Sequence, residues 1–389
     1  MLKDSIILYI TRFLRVFLKV LYVFPIKRNR ILFCSTFGKK CICNPKYISD
    51  YLACEQPGKY EIVWAVRDDQ ALSSLAYPPN TVCKYHGVKH FYYMATSMVC
   101  IDNIGFLAAY KPRKGQMFIN TWHGGGCYKN VGQAEKAITS AKSKREELSV
   151  GNTSVYLSSS RFFTEKVVRE QFDFKGVVLE AGMPRNDCLV LNNRDYNEKV
   201  SRAVKKGFGI DDDVRIALYA PTWRYSNDNS IYDLDIDSVR RAFETRFGGK
   251  WVVLYRMHHR VHRSDSFGSE FAMDAGEYPD MQELLITADA LITDYSSSMW
   301  DYSFTGRPCF LFTVDLEQYI TERGFVKSIY EWGFPVCKDN QELFETIVHF
   351  DSVAFGEAMR RHHEDLGNCE SGHACRKVAE LIENHCLKE

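Results

Sequence analysis

Short apolar runs, each closed by a polar strand end, recur along this chain with enough sequence between them for a helix. Ile31–Ser35, Glu61–Val66, Met98–Ile101, Met117–Trp122 and Val155–Ser158 mark the first half. Val214–Tyr219, Trp251–Tyr255, Ala288–Thr293 and Cys309–Phe312 mark the second. Helical patterns fall between them: Pro45–Leu52, residues 88–96, Arg161–Phe172 capped by Ser160, residues 341–350 and residues 374–385. Strands alternating with helices restrict the chain to α/β architecture with parallel, doubly wound sheets. In such sheets ligands bind beyond the carboxyl ends of the strands, so the residues closing each run are the ones to inspect.

A length of 389 residues suggests two domains. Polar residues around 191–212 give the boundary: an N-terminal helix over 1–26, a first domain over 27–192 and a second over 193–389. The last helix is a candidate to cross back to the first domain. Hydrophobic content of 46% supports two buried cores. A formal charge of +1 gives no global case for nucleic acid, so any anion site must be local. Thirteen cysteines without a cleavable signal pattern point to a reducing cytoplasm. Cys41 with Cys43, and Cys369 with His373 and Cys375, lack paired CxxC spacing, and no carboxylate spacing accompanies His258, His259 and His262. No metal and no cofactor are expected.

Residues 5–24 hold thirteen Leu, Ile, Val or Phe, with Arg12, Arg15 and Lys19 expected on one helical face. Spanning a bilayer would gain about 0.3–0.6 kcal/mol per apolar residue, but roughly 2.5–3.5 would be lost at each of three charges. Lying in the interface is favoured. Lys27, Arg28 and Arg30 are expected to add about 1 kcal/mol apiece toward an anionic membrane surface.

Four strand ends carry candidate chemistry. The run to Thr293 ends in Asp294-Tyr295-Ser296-Ser297-Ser298, with Asp301 one turn on, ahead of Gly306 and Arg307-Pro308. Hydroxyls and a helix N-terminus there suit a phosphate. Met117–Trp122 ends in His123-Gly124-Gly125-Gly126, where glycines admit a ligand to the backbone and an imidazole near pKa 6.5 serves as a base. An esterase also uses such a glycine run, but no GxSxG elbow accompanies it. Arg185 offers a planar fork for phosphate, or else pairs with Asp187. Pro221-Thr222 and Arg256-Met257-His258 close the first two strands of the second domain, with charge and donors for a diphosphate.

Together, Thr121-Trp122-His123-Gly124, Gly182-Met183-Pro184-Arg185-Asn186-Asp187, Tyr219-Ala220-Pro221-Thr222-Trp223-Arg224, Arg256-Met257-His258 and Thr293-Asp294-Tyr295-Ser296-Ser297 with Asp301 resemble the CDP-glycerol glycerophosphotransferase family. Asn44-Pro45-Lys46-Tyr47 and Glu322-Arg323-Gly324-Phe325 fit it as well, over about residues 27–385. Gly125-Gly126-Cys127 departs from the family's usual Thr-Pro-Leu and bears on acceptor and donor identity. The resemblance implies a GT-B fold, with two Rossmann-like domains facing across a cleft. It also implies peripheral attachment to the cytoplasmic face of the cell membrane, and transfer from CDP-glycerol or CDP-ribitol to a lipid-linked glycan or polyol-phosphate acceptor in teichoic acid or capsule-type polymer synthesis. By similarity His123 and His258 are catalytic, His123 being the base. Gly124, Arg185, Pro221, Thr222, Arg256, Met257, Ser296, Ser297 and Asp301 line the substrate site. Homo-oligomerisation is left open. The competing readings are a nucleotide-sugar glycosyltransferase of the same fold and a non-catalytic membrane-bound scaffold.

Overall fold

The structure is a computed structural model that describes residues 2–134, 140–224, 230–257 and 269–387. The chain divides into two compact units, the first of residues 1–187 with 368–389 and the second of residues 188–367. A single boundary near residue 192 is thus replaced by two crossings, and the last residues belong to the first unit.

The first unit holds a seven-stranded, all-parallel sheet: β1 (Lys27–Phe33), β2 (Glu61–Val66), β3 (Thr81–Lys84), β4 (Ser97–Asp102), β5 (Met117–Asn120), β6 (Val155–Leu157) and β7 (Val177–Leu179). Their spatial order is β3-β2-β1-β4-β5-β6-β7. Side chains alternate between the sheet's faces, which is why these strands are apolar throughout. Ile31, Phe33 and Trp64 pack on one face with Ile48 and Leu52. Leu32, Val63 and Phe118 pack on the other with Met94 and Tyr110. The order reverses between β1 and β4, so the carboxyl ends of these two neighbours mark the sheet's switch point.

The N-terminal helix α1 (Leu2–Phe17) docks on this unit in an unexpected orientation. Arg15 points inward: Nη1 donates to the Ala108 and Tyr110 carbonyls at 2.7 Å each, and Nη2 donates to Asn152 Oδ1 at 2.9 Å. Leu8, Thr11 and Leu18 are buried beside it. Ile6, Tyr9, Ile10, Phe13, Val16, Phe17 and Val20 face outward and are exposed, at i, i+3, i+4 and i+7 spacing. Arg12 and Lys19 also stay exposed, so the three cations do not share one solvent face. Arg30 is a second correction. It is buried, donating to Thr96 Oγ1 at 2.6 Å and pairing with Glu61 at 3.0 Å, because a buried cation in the middle of an interior strand must find partners. Among the described residues, no helix is long and apolar enough to cross a membrane.

Helix α2 (Cys43–Glu55) covers one face together with α4 (Ala374–Leu387), whose Val378, Ala379 and Ile382 join the same core. The return is fixed by polar contacts. Asp187 accepts the Ala374 and Cys375 amides at 2.8 Å each, and Glu370 accepts the Met183 amide and Asn186 Nδ2.

The second unit contains β8 (Arg215–Tyr219), β9 (Trp251–Tyr255), β10 (Ala272–Asp274), β11 (Ala290–Thr293), β12 (Cys309–Phe312) and β13 (Val336–Cys337). They form a parallel sheet in the order β10-β9-β8-β11-β12-β13, with its switch point between β8 and β11. Residues 194–208 form a helix of this unit and not a free linker.

Candidate functional site

In each unit, residues singled out from sequence gather at or beside the switch point. In the first, the loop after β1 meets the end of β4 through the Thr36 amide, which donates to Asn103 Oδ1 at 3.0 Å. The Asn103 main-chain carbonyl lies 2.9 Å from His123 Nδ1, at the end of neighbouring β5. A carbonyl only accepts, so Nδ1 carries the proton and Nε2 keeps its lone pair. That is the tautomer a general base needs.

His123 is exposed. Protein packed around the ring lowers its pKa from 6.5 to about 4, the nearby charges of Arg185 and Lys129 add to this, and the Asn103 hydrogen bond opposes it. Water reaching the residue moderates the shift, whose direction leaves a neutral imidazole at pH 7. The preceding residue, Trp122, adopts φ +52°, and Thr36 (+48°), Phe37 (+57°) and Cys43 (+63°) share the left-handed region. Each such non-glycine residue costs of order 1–3 kcal/mol and persists only where its surroundings fix it. Of the three glycines after His123, Gly126 takes positive φ (+66°), and a Cβ there would lie 2.5 Å from the Tyr128 ring. Gly124 is buried.

The Arg185 guanidinium turns toward the His123 main chain. Its Nη1 donates to the His123 carbonyl at 2.7 Å and contacts Cys43 Sγ at 3.1 Å. Asn44 completes the brace, with Nδ2 donating to the Thr121 and Trp122 carbonyls and Oδ1 accepting the Arg185 amide. Arg185 therefore positions His123 from below.

In the second unit, Arg224 forms a buried hub. It reaches Asp294 Oδ2 at 2.8 Å and Asp315 through two bonds of 2.7 and 3.0 Å. Its guanidinium also lies over the Tyr295 and Tyr319 rings. Asp294 accepts the Thr222 amide at 2.9 Å, and Tyr295 donates to Asp315. Asp294 thus ties the end of β11 to the loop after β8. Thr293 Oγ1 donates to the Ala220 carbonyl at 2.7 Å, joining the ends of β11 and β8.

On this base sit half-buried Pro221, Thr222, Ser296 and Ser297. Among the described residues, Thr222 Oγ1 is buried without a hydrogen-bond partner, the state expected of a donor kept for a ligand. Ser296 Oγ accepts the Ser298 amide at 3.3 Å, a local cap. The helix it opens, α3 (Ser298–Ser303), has only six residues, so its dipole offers less than the longer helix expected. Asp301, expected to line the site, is buried and accepts from Gln282 Nε2 at 3.1 Å, bracing α3 from within. Arg256, at the end of β9, is half-buried and tethered through Nη1 to the Ala275 and Tyr278 carbonyls; Met257 follows it. His258, with His259 and His262, lies outside the described residues.

The chain as a whole matches a known protein family. The model of the CDP-glycerol:poly(glycerophosphate) glycerophosphotransferase family fits residues 16–384. The chain belongs to that family. It is 29% identical to the teichoic acid poly(glycerol phosphate) polymerase of Bacillus spizizenii, over 96% of both chains. The polymerase of the same name from Bacillus subtilis is also 29% identical, but the match spans 92% of this chain and 49% of that protein. Among solved structures, a variant of the wall teichoic acid polymerase TagF soaked with CDPG aligns at TM-score 0.82 and 25% identity, covering 99% of this chain and 96% of that one. The family's glycerophosphotransferase chemistry therefore sets the enzyme class, and the two parallel-sheet, Rossmann-like domains agree with the TagF fold.

Sequence reasoning missed Asp102, Asn103, Arg224 and Asp315. Asp102-Asn103 stands where the buried run of β4 ends, the same signal that located His123.

Proposed function

We propose that this chain moves a glycerol-phosphate unit from CDP-glycerol to a hydroxyl of a lipid-linked or polymer acceptor, releasing CMP. The observation that carries this reading is His123, an exposed, neutral imidazole held with Nδ1 protonated by a backbone carbonyl. Nε2 takes the acceptor's hydroxyl proton as that oxygen attacks the phosphorus bearing glycerol. The phosphorus–oxygen bond to CMP breaks, and its electron pair leaves with CMP. A base of this kind is worth about a hundred- to ten-thousand-fold in rate.

In this reading Thr222, Ser296 and Ser297 donate to the diphosphate, Pro221 and Met257 border it, and Arg256 supplies permanent charge for the oxygens on which charge accumulates. His258 adjoins Arg256 in sequence and is assigned the complementary proton role. Gly124 keeps the backbone beside His123 free of a side chain. The two units work as a GT-B pair, the first serving the acceptor and the second the nucleotide. Membrane-surface attachment rests on the outward apolar stripe of α1, flanked by Arg12, Lys19, Lys27 and Arg28, a composition suited to an anionic bilayer interface.

Incubation with CDP-glycerol, CDP-ribitol and UDP-sugars, together with a lipid-linked acceptor, tests the reading through the nucleotide released. CMP from CDP-glycerol is expected. UDP release, with CDP-alditols inert, would instead establish a nucleotide-sugar glycosyltransferase.

A further inference from the structure

Beneath His123 lies a polar layer that no substrate role explains. Asp102 ends β4 and is buried, and Asn103 after it is fully enclosed. Asp102 Oδ1 accepts the Ile104 amide at 2.7 Å, and the amides of Asn103 and Gly105 and the Cys34 thiol also stabilise the carboxylate. Its own carbonyl accepts the Thr121 amide at 2.9 Å, two residues before His123. The carboxylate therefore organises the turn whose Asn103 carbonyl meets His123 Nδ1, while Thr36 holds the Asn103 side chain from the loop after β1.

We infer that Asp102 is a positioning residue for His123, its carboxylate fixing the Asn103–Gly105 turn so that one carbonyl selects the tautomer and aim of the imidazole. Burial raises the Asp102 carboxyl to about 7 against the pull of the turn amides and Cys34. The ionisable side chains that sense it, Cys34, Cys100 and Tyr85, are all held neutral at pH 7 by burial. Hydrogen bonding to the turn is therefore what the carboxylate contributes. A bare oxygen acceptor serves this purpose in part, which separates Asp102→Asn from Asp102→Ala.

The inference rests on the transferase reading for its kinetic arm, whereas its spectroscopic arm stands alone. The test compares the full chain, D102N and D102A by nitrogen-15 shifts of the His123 ring and by CMP release from CDP-glycerol. Wild type should show a single Nδ1-protonated tautomer. D102A should show mixed tautomers and a kcat roughly ten- to a hundred-fold lower, with KM for CDP-glycerol within about twofold, as expected when a base is misplaced but donor contacts remain. D102N should fall between them. Should D102A not fold, D102N carries the test. A wild-type tautomer and kcat in the folded variant would overturn the inference. A single tautomer in a wild-type chain that releases no CMP would remove the transferase reading and leave the positioning role standing.

Discussion

The two switch points hold their working residues by opposite means. Around His123 the holding groups are mostly neutral: the Asn103 carbonyl, the Asn44 amide and four non-glycine residues at positive φ, with Arg185 the cation bonded to the His123 main chain. Around Thr222 and Ser296 they are charges: Arg224 between Asp294 and Asp315. A neutral frame leaves the imidazole's proton affinity to its local surroundings. A charged frame of one guanidinium and two carboxylates anchors backbone but sums to a formal charge of −1, so positive charge for a phosphate has to come from elsewhere, Arg256 in the transferase reading.

Breaking the charged frame should have the largest effect on stability. Arg224→Ala leaves two buried carboxylates without their cation and should cost about 3–5 kcal/mol by chemical denaturation. A loss below about 1 kcal/mol would mean that Asp294 and Asp315 do not depend on it. The neutral frame should yield less. Arg185→Lys removes a planar donor from the His123 carbonyl and should lower stability by about 1–2 kcal/mol. Because the change bears on the base, it should also reduce kcat roughly tenfold more than it changes KM for CDP-glycerol. Equal changes in kcat and KM would show Arg185 meeting substrate after all.

Strand ends were legible because an interior parallel strand is an uninterrupted apolar run, and whatever follows it stands at the ligand edge. Hence His123, Thr222 and Ser296 were read as following strand ends, and each stands just beyond the end of β5, β8 or β11. The partners of Arg185 were not legible, since its bonds reach Cys43 and His123, and sequence near 185 offered only Asp187. Nor could periodicity decide which side of α1 faces the protein: Arg15 is drawn inward by carbonyls near residue 110, distant in sequence. β10 and β13 are too short to register as apolar runs, at three and two residues. The return of the last helix was left open because nothing in its own residues names Asp187 as its cap.

Two smaller effects sharpen the contrast. Phe13→Glu, on the outward face of α1, should weaken co-sedimentation with anionic vesicles roughly tenfold, from the loss of an apolar side chain worth about 1.5–3 kcal/mol when buried. Unchanged sedimentation would remove α1 from membrane binding. The acid limb assigned to His123 in kcat/KM should lie below the usual 6.5, because its lowered pKa keeps the base deprotonated as pH falls toward that value. A limb above 6.5 that vanishes with His123 would show the imidazolium to be favoured, contrary to the neutral frame.

The most direct measurement is turnover and donor binding by His123→Ala. The account predicts that CMP release falls by at least about a hundred-fold while CDP-glycerol binds nearly as in wild type. Wild-type turnover in that variant, or loss of donor affinity in step with turnover, would contradict it.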